Sequence, residues 1–176
     1  MLKMTSMLIR PRTPADLDGC VRLLAEVHKN SGYPVNWPAD PAGWLSPEGA
    51  LGCWVLTLDG ELAGHLIVTA EAAESLGGAG AVGGADPLDG AGGALVERLF
   101  VDPRRARAGL GRRLLEYAGD FAAERGLRLV LDVVDKPGGA VDFYRRTGWR
   151  EAGRIPIDWG GKDASEIIRF EAPDRG

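Results

Sequence analysis

Two glycines and a crowd of arginines mark the part of this chain best suited to chemistry. Between Leu95 and Ala118, an apolar run ending at Val101 leads into Asp102-Pro103 and then a basic turn. Gly109-x-Gly111 follows, and beyond it lies an apolar series at helical spacing. The pattern predicts a strand over 95–101, a turn, and a helix opened by the two glycines. Amide N–H groups in a first helical turn have no partners within the helix, and the helix dipole adds partial positive charge there. Glycine lets an anion approach the backbone because no Cβ intervenes. Such a turn can cradle a phosphate, or it can be an ordinary strand-to-helix connection. Arg104, Arg105, Arg107, Arg112 and Arg113 favour the phosphate, since guanidinium groups bind it through paired donors.

Two common phosphate motifs do not fit. A dinucleotide fingerprint places a third glycine where Leu114 stands, and a Walker loop follows its last glycine with Lys-Ser/Thr, where this chain has Arg112-Arg113. The turn instead resembles the GNAT superfamily of acetyl-CoA-dependent N-acetyltransferases. Their hallmark, Gln/Arg-x-x-Gly-x-Gly/Ala between a strand and a helix, matches Ala106-Arg107-Ala108-Gly109-Leu110-Gly111 at both glycines and departs from it at Ala106. A second match lies at Ala140-x-x-Phe143-Tyr144-x-x-x-Gly148-Trp149, similar to the family's C-terminal helix-to-strand motif. The resemblance covers about residues 8 to 172.

The resemblance implies a fold, a co-substrate and roles. It implies a single α/β domain with a mixed, mostly antiparallel sheet flanked by helices, and acetyl-CoA as co-substrate without a metal. The amides of Arg107, Ala108, Gly109, Leu110, Gly111 and Arg112 would take the phosphate end. Backbone groups of Leu99, Phe100 and Val101 would bind the pantetheine arm where the fourth strand bends away from the fifth, and one N–H there would polarise the thioester carbonyl. Tyr144 would give a proton to the departing thiolate, which a phenol neutral at pH 7 can do. Glu97 is the expected amine base: strict alternation along the strand puts it on one face with Leu99 and Val101, and relatives often carry a base on this strand. Asp132, Asp135 and His65 are lesser candidates. The acceptor would be a primary amine of a small molecule or a protein, attacking directly without an enzyme nucleophile. A catalytically silent acyl-CoA sensor of the same fold is the alternative.

The remaining chain must position these groups. Met7–Arg10 is expected as a strand, and Thr13-Pro14-Ala15-Asp16 as a helix start with Thr13 as N-cap. Leu17, Val21, Leu24 and His28 share a helical face that should end at Asn30-Ser31-Gly32. Residues 31–50 are rich in Pro, Gly and Trp, with at most a short helix near 42–45. Tyr33, Trp37 and Trp44 either line an acceptor cleft, where aromatic faces would attract a cationic amine, or pin the loop to the core. Asp59-Gly60 signals a hairpin between strands 53–58 and 62–70. Residues 73–93 form a glycine-rich insertion. A helix from Leu110 to near Gly126, a buried strand over 127–134, a short helix closed by Gly148 and a final antiparallel pair complete the α/β layers.

Composition sets the outer limits. The 176 residues carry a formal charge of −4, which gives no sign of nucleic-acid binding. Cys20 and Cys53 lack metal-ligand spacing and read as buried, inert thiols. No apolar run reaches the ~18 residues of a membrane span. Met1–Met7 lacks the apolar core of a signal peptide, so a cytoplasmic monomer or homodimer with no membrane partner is expected.

Overall fold

A computed structural model describes residues 4–71, 92–105, 107–136, 140–157 and 165–175. The glycine-rich stretch from 72 to 91, Ala106, the Gly138-Gly139 step and the expected turn 158–163 lie outside the described residues. Among the described residues there are four α-helices and seven strands: β1 (Met7–Pro11), α1 (Leu17–Ser31), α2 (Pro41–Trp44), β2 (Ala50–Leu58), β3 (Glu61–Ala70), β4 (Gly93–Val101), α3 (Leu110–Glu124), β5 (Arg128–Asp135), α4 (Val141–Arg146), β6 (Arg150–Ile157) and β7 (Ser165–Glu171). Strand order is β1-β2-β3-β4-β5-β7-β6. β4 and β5 pair in parallel, whereas β1–β2, β2–β3, β5–β7 and β6–β7 pair antiparallel. The expected mixed, mostly antiparallel sheet flanked by helices is what forms.

Contacts divide the chain into two compact units. Met1–Thr69 with Glu97–Ala118 make one; Ala70–Val96 with Gly119–Gly176 make the other. In the first, α1 begins as the sequence dictates. The Thr13 N–H and hydroxyl both donate to the Asp16 carboxylate, and Pro14–Asp16 form a single 3-10 turn before the α-helix. Arg10 holds the same carboxylate in a two-pronged ion pair at 2.7 and 2.8 Å, which keeps Asp16 well below the usual carboxylate range. Gly32, in left-handed conformation, ends the helix. The buried face of α1 (Cys20, Leu23, Leu24, Val27) packs with Leu45, Val55 and Phe100. The β2–β3 turn sits on Asp59 and Gly60, both at positive φ, as a tight type I′ hairpin requires.

The second unit is built on β5, whose Leu129, Val130 and Leu131 are buried with Val141, Trp149, Ile168 and Phe170. The last two strands are antiparallel as expected, but β7 lies between β5 and β6. The chain therefore passes beyond β5 to lay down the outer strand β6 before returning. Charged side chains tie these strands together: Arg169 binds both oxygens of Asp132 at 2.9 Å and reaches Glu71, while Arg154 bridges Asp135 and Glu166. Asp132 and Asp135 are thus structural ion-pair partners.

Candidate active site

The decisive backbone feature is in β4. Its pairing with β5 runs from Gly93↔Arg128 to Val96↔Leu131 and then stops, so residues 97–101 have no β5 partner in that ladder. On the β3 side, the Glu71 N–H donates to the Gly93 carbonyl at 2.8 Å, and the Asp102 N–H donates to the Ala63 carbonyl at 2.8 Å. These two bonds differ in register by one residue, so β4 carries one extra residue between them. Arg98, at φ 48°, supplies the break: a left-handed residue inside a strand is a bulge. The alternation expected to align Glu97 with Leu99 and Val101 is therefore interrupted at Arg98.

Both charged side chains at the bulge have partners. The Glu97 carboxylate accepts from Thr69 Oγ1 at 3.0 Å and pairs with Arg98 at 3.0 Å, remaining 30% exposed. Arg98 Nε donates to the Trp44 carbonyl at 2.7 Å, and its guanidinium lies over the Trp44 ring, 4.7 Å from the centroid. Tyr33 meets Trp44 edge-on at 6.2 Å. Trp37 stands apart, 41% exposed, with its ring 5.3 Å from that of His28. Trp44 already carries an internal cation on its face, and Tyr33 packs, partly buried, against the core.

His65 is buried, and both ring nitrogens are used. Nδ1 lies 2.9 Å from the Arg98 carbonyl, and Nε2 lies 3.0 Å from Arg12 Nη1. A carbonyl only accepts and a guanidinium only donates, so Nδ1 carries the hydrogen and Nε2 accepts. The ring stacks on Phe100 at 4.8 Å. Burial, against the opposing pull of the Arg98 carbonyl, lowers its pKa to about 4. Removed from solvent and doubly bonded, His65 is not placed to act as an amine base.

The turn after β4 supplies donors. Asp102, buried, anchors it through Arg104, which holds both carboxylate oxygens, and through the Arg105 N–H to its carbonyl. These bonds to Arg104 keep the Asp102 carboxyl below its usual range. Arg105 also pairs with Glu61 at 2.7 Å, and Arg112 and Arg113 pair with Glu116. The crowd of five phosphate-binding arginines is thus corrected: Arg104 and Arg105 are spent on the turn's own structure. Arg107, at φ 67°, is exposed and forms no ion pair with the described residues. Among the described residues the first helical bond is Arg113 N–H to the Gly109 carbonyl, 3.1 Å. Ahead of it, the N–H groups of Gly109, Leu110, Gly111 and Arg112 have no backbone acceptor among the described residues. Gly109 sits at φ 74° with nothing within 4 Å of where a Cβ would be. This donor set, open at Gly109, suits a diphosphate.

Tyr144 lies in the second unit, on α4. Its ring packs among Phe143, Trp149 and Phe170 at 5.3, 6.1 and 5.7 Å. Burial pushes its phenol up to about 12, and no described residue hydrogen-bonds it. Cys20 is buried, and burial raises its thiol to about 11; Cys53 is half-buried rather than buried. No cluster of potential metal ligands occurs among the described residues, and none of the described helices is long and apolar enough to cross a membrane.

Residues 20–149 match the model of the acetyltransferase (GNAT) family. The chain belongs to that family. Over 67 residues it is 36% identical to the peptidyl-lysine N-acetyltransferase YjaB of Escherichia coli (strain K12), a match covering 38% of this chain and 43% of that protein. The chain spans less than half the length of the curated relatives it matches. The fold agrees with that of the ribosomal-protein-S18-alanine N-acetyltransferase from Escherichia coli (TM-score 0.65, 22% identity, 97% of each chain). It agrees equally with Arabidopsis thaliana NAA60 in complex with acetyl-CoA (TM-score 0.67, 20% identity, 96% of this chain and 100% of that one).

The GNAT motif was legible in the turn. Arg98 and the two bonds of His65 were not, because their partners lie 33 to 54 residues away. The only local signal was a charged pair, Glu97-Arg98, inside an apolar strand.

Proposed function

We propose that this GNAT chain transfers the acetyl group of acetyl-CoA to a primary amine of a small molecule or a protein by direct attack. One observation carries the reading: β4 leaves its ladder with β5 at a bulge and runs straight into an amide-rich turn. An extended pantetheine arm can hydrogen-bond to an unpaired strand as a further strand would. A diphosphate needs the converging donors that Gly109–Arg112 present. The same two features, in the same order, supply both halves of coenzyme A recognition. Acetyl-CoA brings the activated acyl carbon; the protein supplies orientation and proton transfer.

Leu99, Phe100 and Val101 are assigned to the pantetheine arm, and Arg107, Ala108, Gly109, Leu110, Gly111 and Arg112 to the phosphates. A backbone N–H in the first group polarises the thioester carbonyl, stabilising negative charge as it builds on oxygen. Glu97 takes the proton from the attacking nitrogen, directly or through one water, as the C–N bond forms. Tyr144, assigned from its motif match, gives its proton to sulfur as the C–S bond breaks. Its raised pKa keeps that proton in place throughout the working range. Tyr33 and Trp37 are assigned to the acceptor.

The test is release of free coenzyme A from acetyl-CoA over a panel of small amines, lysine peptides and peptide N-termini. Amine-dependent release is the expected result and identifies the acceptor class. Binding of acetyl-CoA with no turnover on any amine would favour a silent sensor, and no binding would overturn the reading.

A further inference from the structure

We propose that His65 is a positioning residue that aims the Leu99 N–H, and that this N–H is the donor to the thioester carbonyl. The inference rests on the transferase reading above. The carbonyl of Arg98 and the N–H of Leu99 belong to the same peptide group, and in a trans peptide they point in opposite directions. His65 Nδ1 grips the Arg98 carbonyl at 2.9 Å. Fixing that oxygen fixes the opposite direction of the Leu99 hydrogen.

Local geometry makes such a clamp necessary. Arg98 is held at φ 48°, a region that non-glycine residues enter only at a cost. Across it the register against β3 shifts by one residue, between the Glu71–Gly93 bond and the Asp102–Ala63 bond. Alternation from Asp102 backwards turns the N–H groups of Val101 and Leu99 away from β3. The Leu99 donor thus faces the side on which β4 has no ladder partner beyond Val96.

His65 is itself fixed on three sides. Arg12 donates to Nε2 and to the Leu45 carbonyl, which sets the tautomer with hydrogen on Nδ1. Phe100 stacks on the ring with its plane within 15°. A hydrogen bond to the carbonyl oxygen also polarises the peptide and makes its N–H a stronger donor. The imidazole touches no substrate in this scheme; it acts through the backbone.

Two substitutions separate this role from mere packing, because each keeps one half of the imidazole. In His65→Asn the side-chain amide falls near Nδ1 and can still donate to the Arg98 carbonyl. In His65→Gln it falls near Nε2 and serves Arg12 instead. The measurements are kcat with a saturating amine, affinity for coenzyme A (which has no thioester carbonyl), and the infrared frequency of 13C-labelled acetyl-CoA carbonyl when bound. His65→Gln is expected to lower kcat about 10- to 100-fold, somewhat less than outright loss of such a donor. Its coenzyme A affinity should change less than about twofold, and the bound carbonyl should move toward its solution frequency. His65→Asn should stay near wild type on all three. A Gln variant as active as the Asn variant, or more so, overturns the proposal. Should His65→Gln fail to fold, His65→Asn decides alone: retained kcat and carbonyl shift support the role, and their loss overturns it. A wild-type protein that neither binds nor turns over acetyl-CoA instead brings down the transferase reading, and this one with it.

Discussion

The guanidinium of Arg98 spans two interactions with one residue, lying 4.7 Å from the centre of the Trp44 ring while its Nε donates to the Trp44 carbonyl at 2.7 Å. A strand bulge is thereby tied to the short helix of the 31–50 loop. Removal of that tie should loosen the loop without dismantling the core. Arg98→Ala is expected to cost about 2 kcal/mol, the scale of a charged hydrogen bond with an added cation–π contact. Urea unfolding measures the loss, and KM for the amine should rise more than KM for acetyl-CoA.

Stability should respond to pH through His65. Its pKa falls from 6.5 to about 4 on folding, so the unfolded chain binds the extra proton first. The contribution is complete above pH 6.5, declines as pH falls toward 4, and is constant below that. Its size is about 3 kcal/mol at full extent. Unfolding free energies measured from pH 7 to pH 4 should show this slope, and His65→Asn should flatten it. A wild-type slope unchanged in the variant would assign it to other groups.

Tyr144→Phe keeps the ring that packs on Phe143, Trp149 and Phe170, so its melting temperature should stay near wild type. The lost proton donor should lower kcat about 100-fold. Because burial holds the phenol near 12, the wild-type rate should not fall between pH 7 and pH 10 from ionisation of this group. A falling limb in that range, absent from the variant, would contradict the assignment.

Glu97→Gln is nearly isosteric and can still accept from Thr69 Oγ1, so the fold should persist. Loss of the base should reduce kcat about 100-fold, with coenzyme A affinity unchanged. Steady-state kinetics on the best amine from the panel decide it; an undiminished kcat would leave water as the base.

Gly109→Ala probes the phosphate turn. At φ 74° an alanine costs about 1–2 kcal/mol in backbone strain, although nothing stands within 4 Å of the new methyl. That open space is where the diphosphate is assigned, so coenzyme A binding should weaken as well. Thermal shift with and without coenzyme A separates the two losses: the variant should melt lower and gain less from the ligand.

Much of this protein was written locally. Thr13 and Asp16 mark the start of α1 and Gly32 its end, because capping bonds span only a few residues. Asp59-Gly60 fixes a hairpin, because few residue pairs accept two positive φ angles. The spacing of Gly109 and Gly111 announces the phosphate turn, since both the bare backbone and the helix start are local properties. Tertiary structure decided what depends on distant partners. It placed β7 between β5 and β6, a matter of which strand edge is free when the chain returns. It took Arg104 and Arg105 from the expected anion site and gave them to Asp102 and Glu61, since a guanidinium seeks the nearest carboxylate in space. It also forced Arg98 out of β alternation and set His65 against its carbonyl. That contact joins residues 33 positions apart, and no periodicity in the chain encodes it.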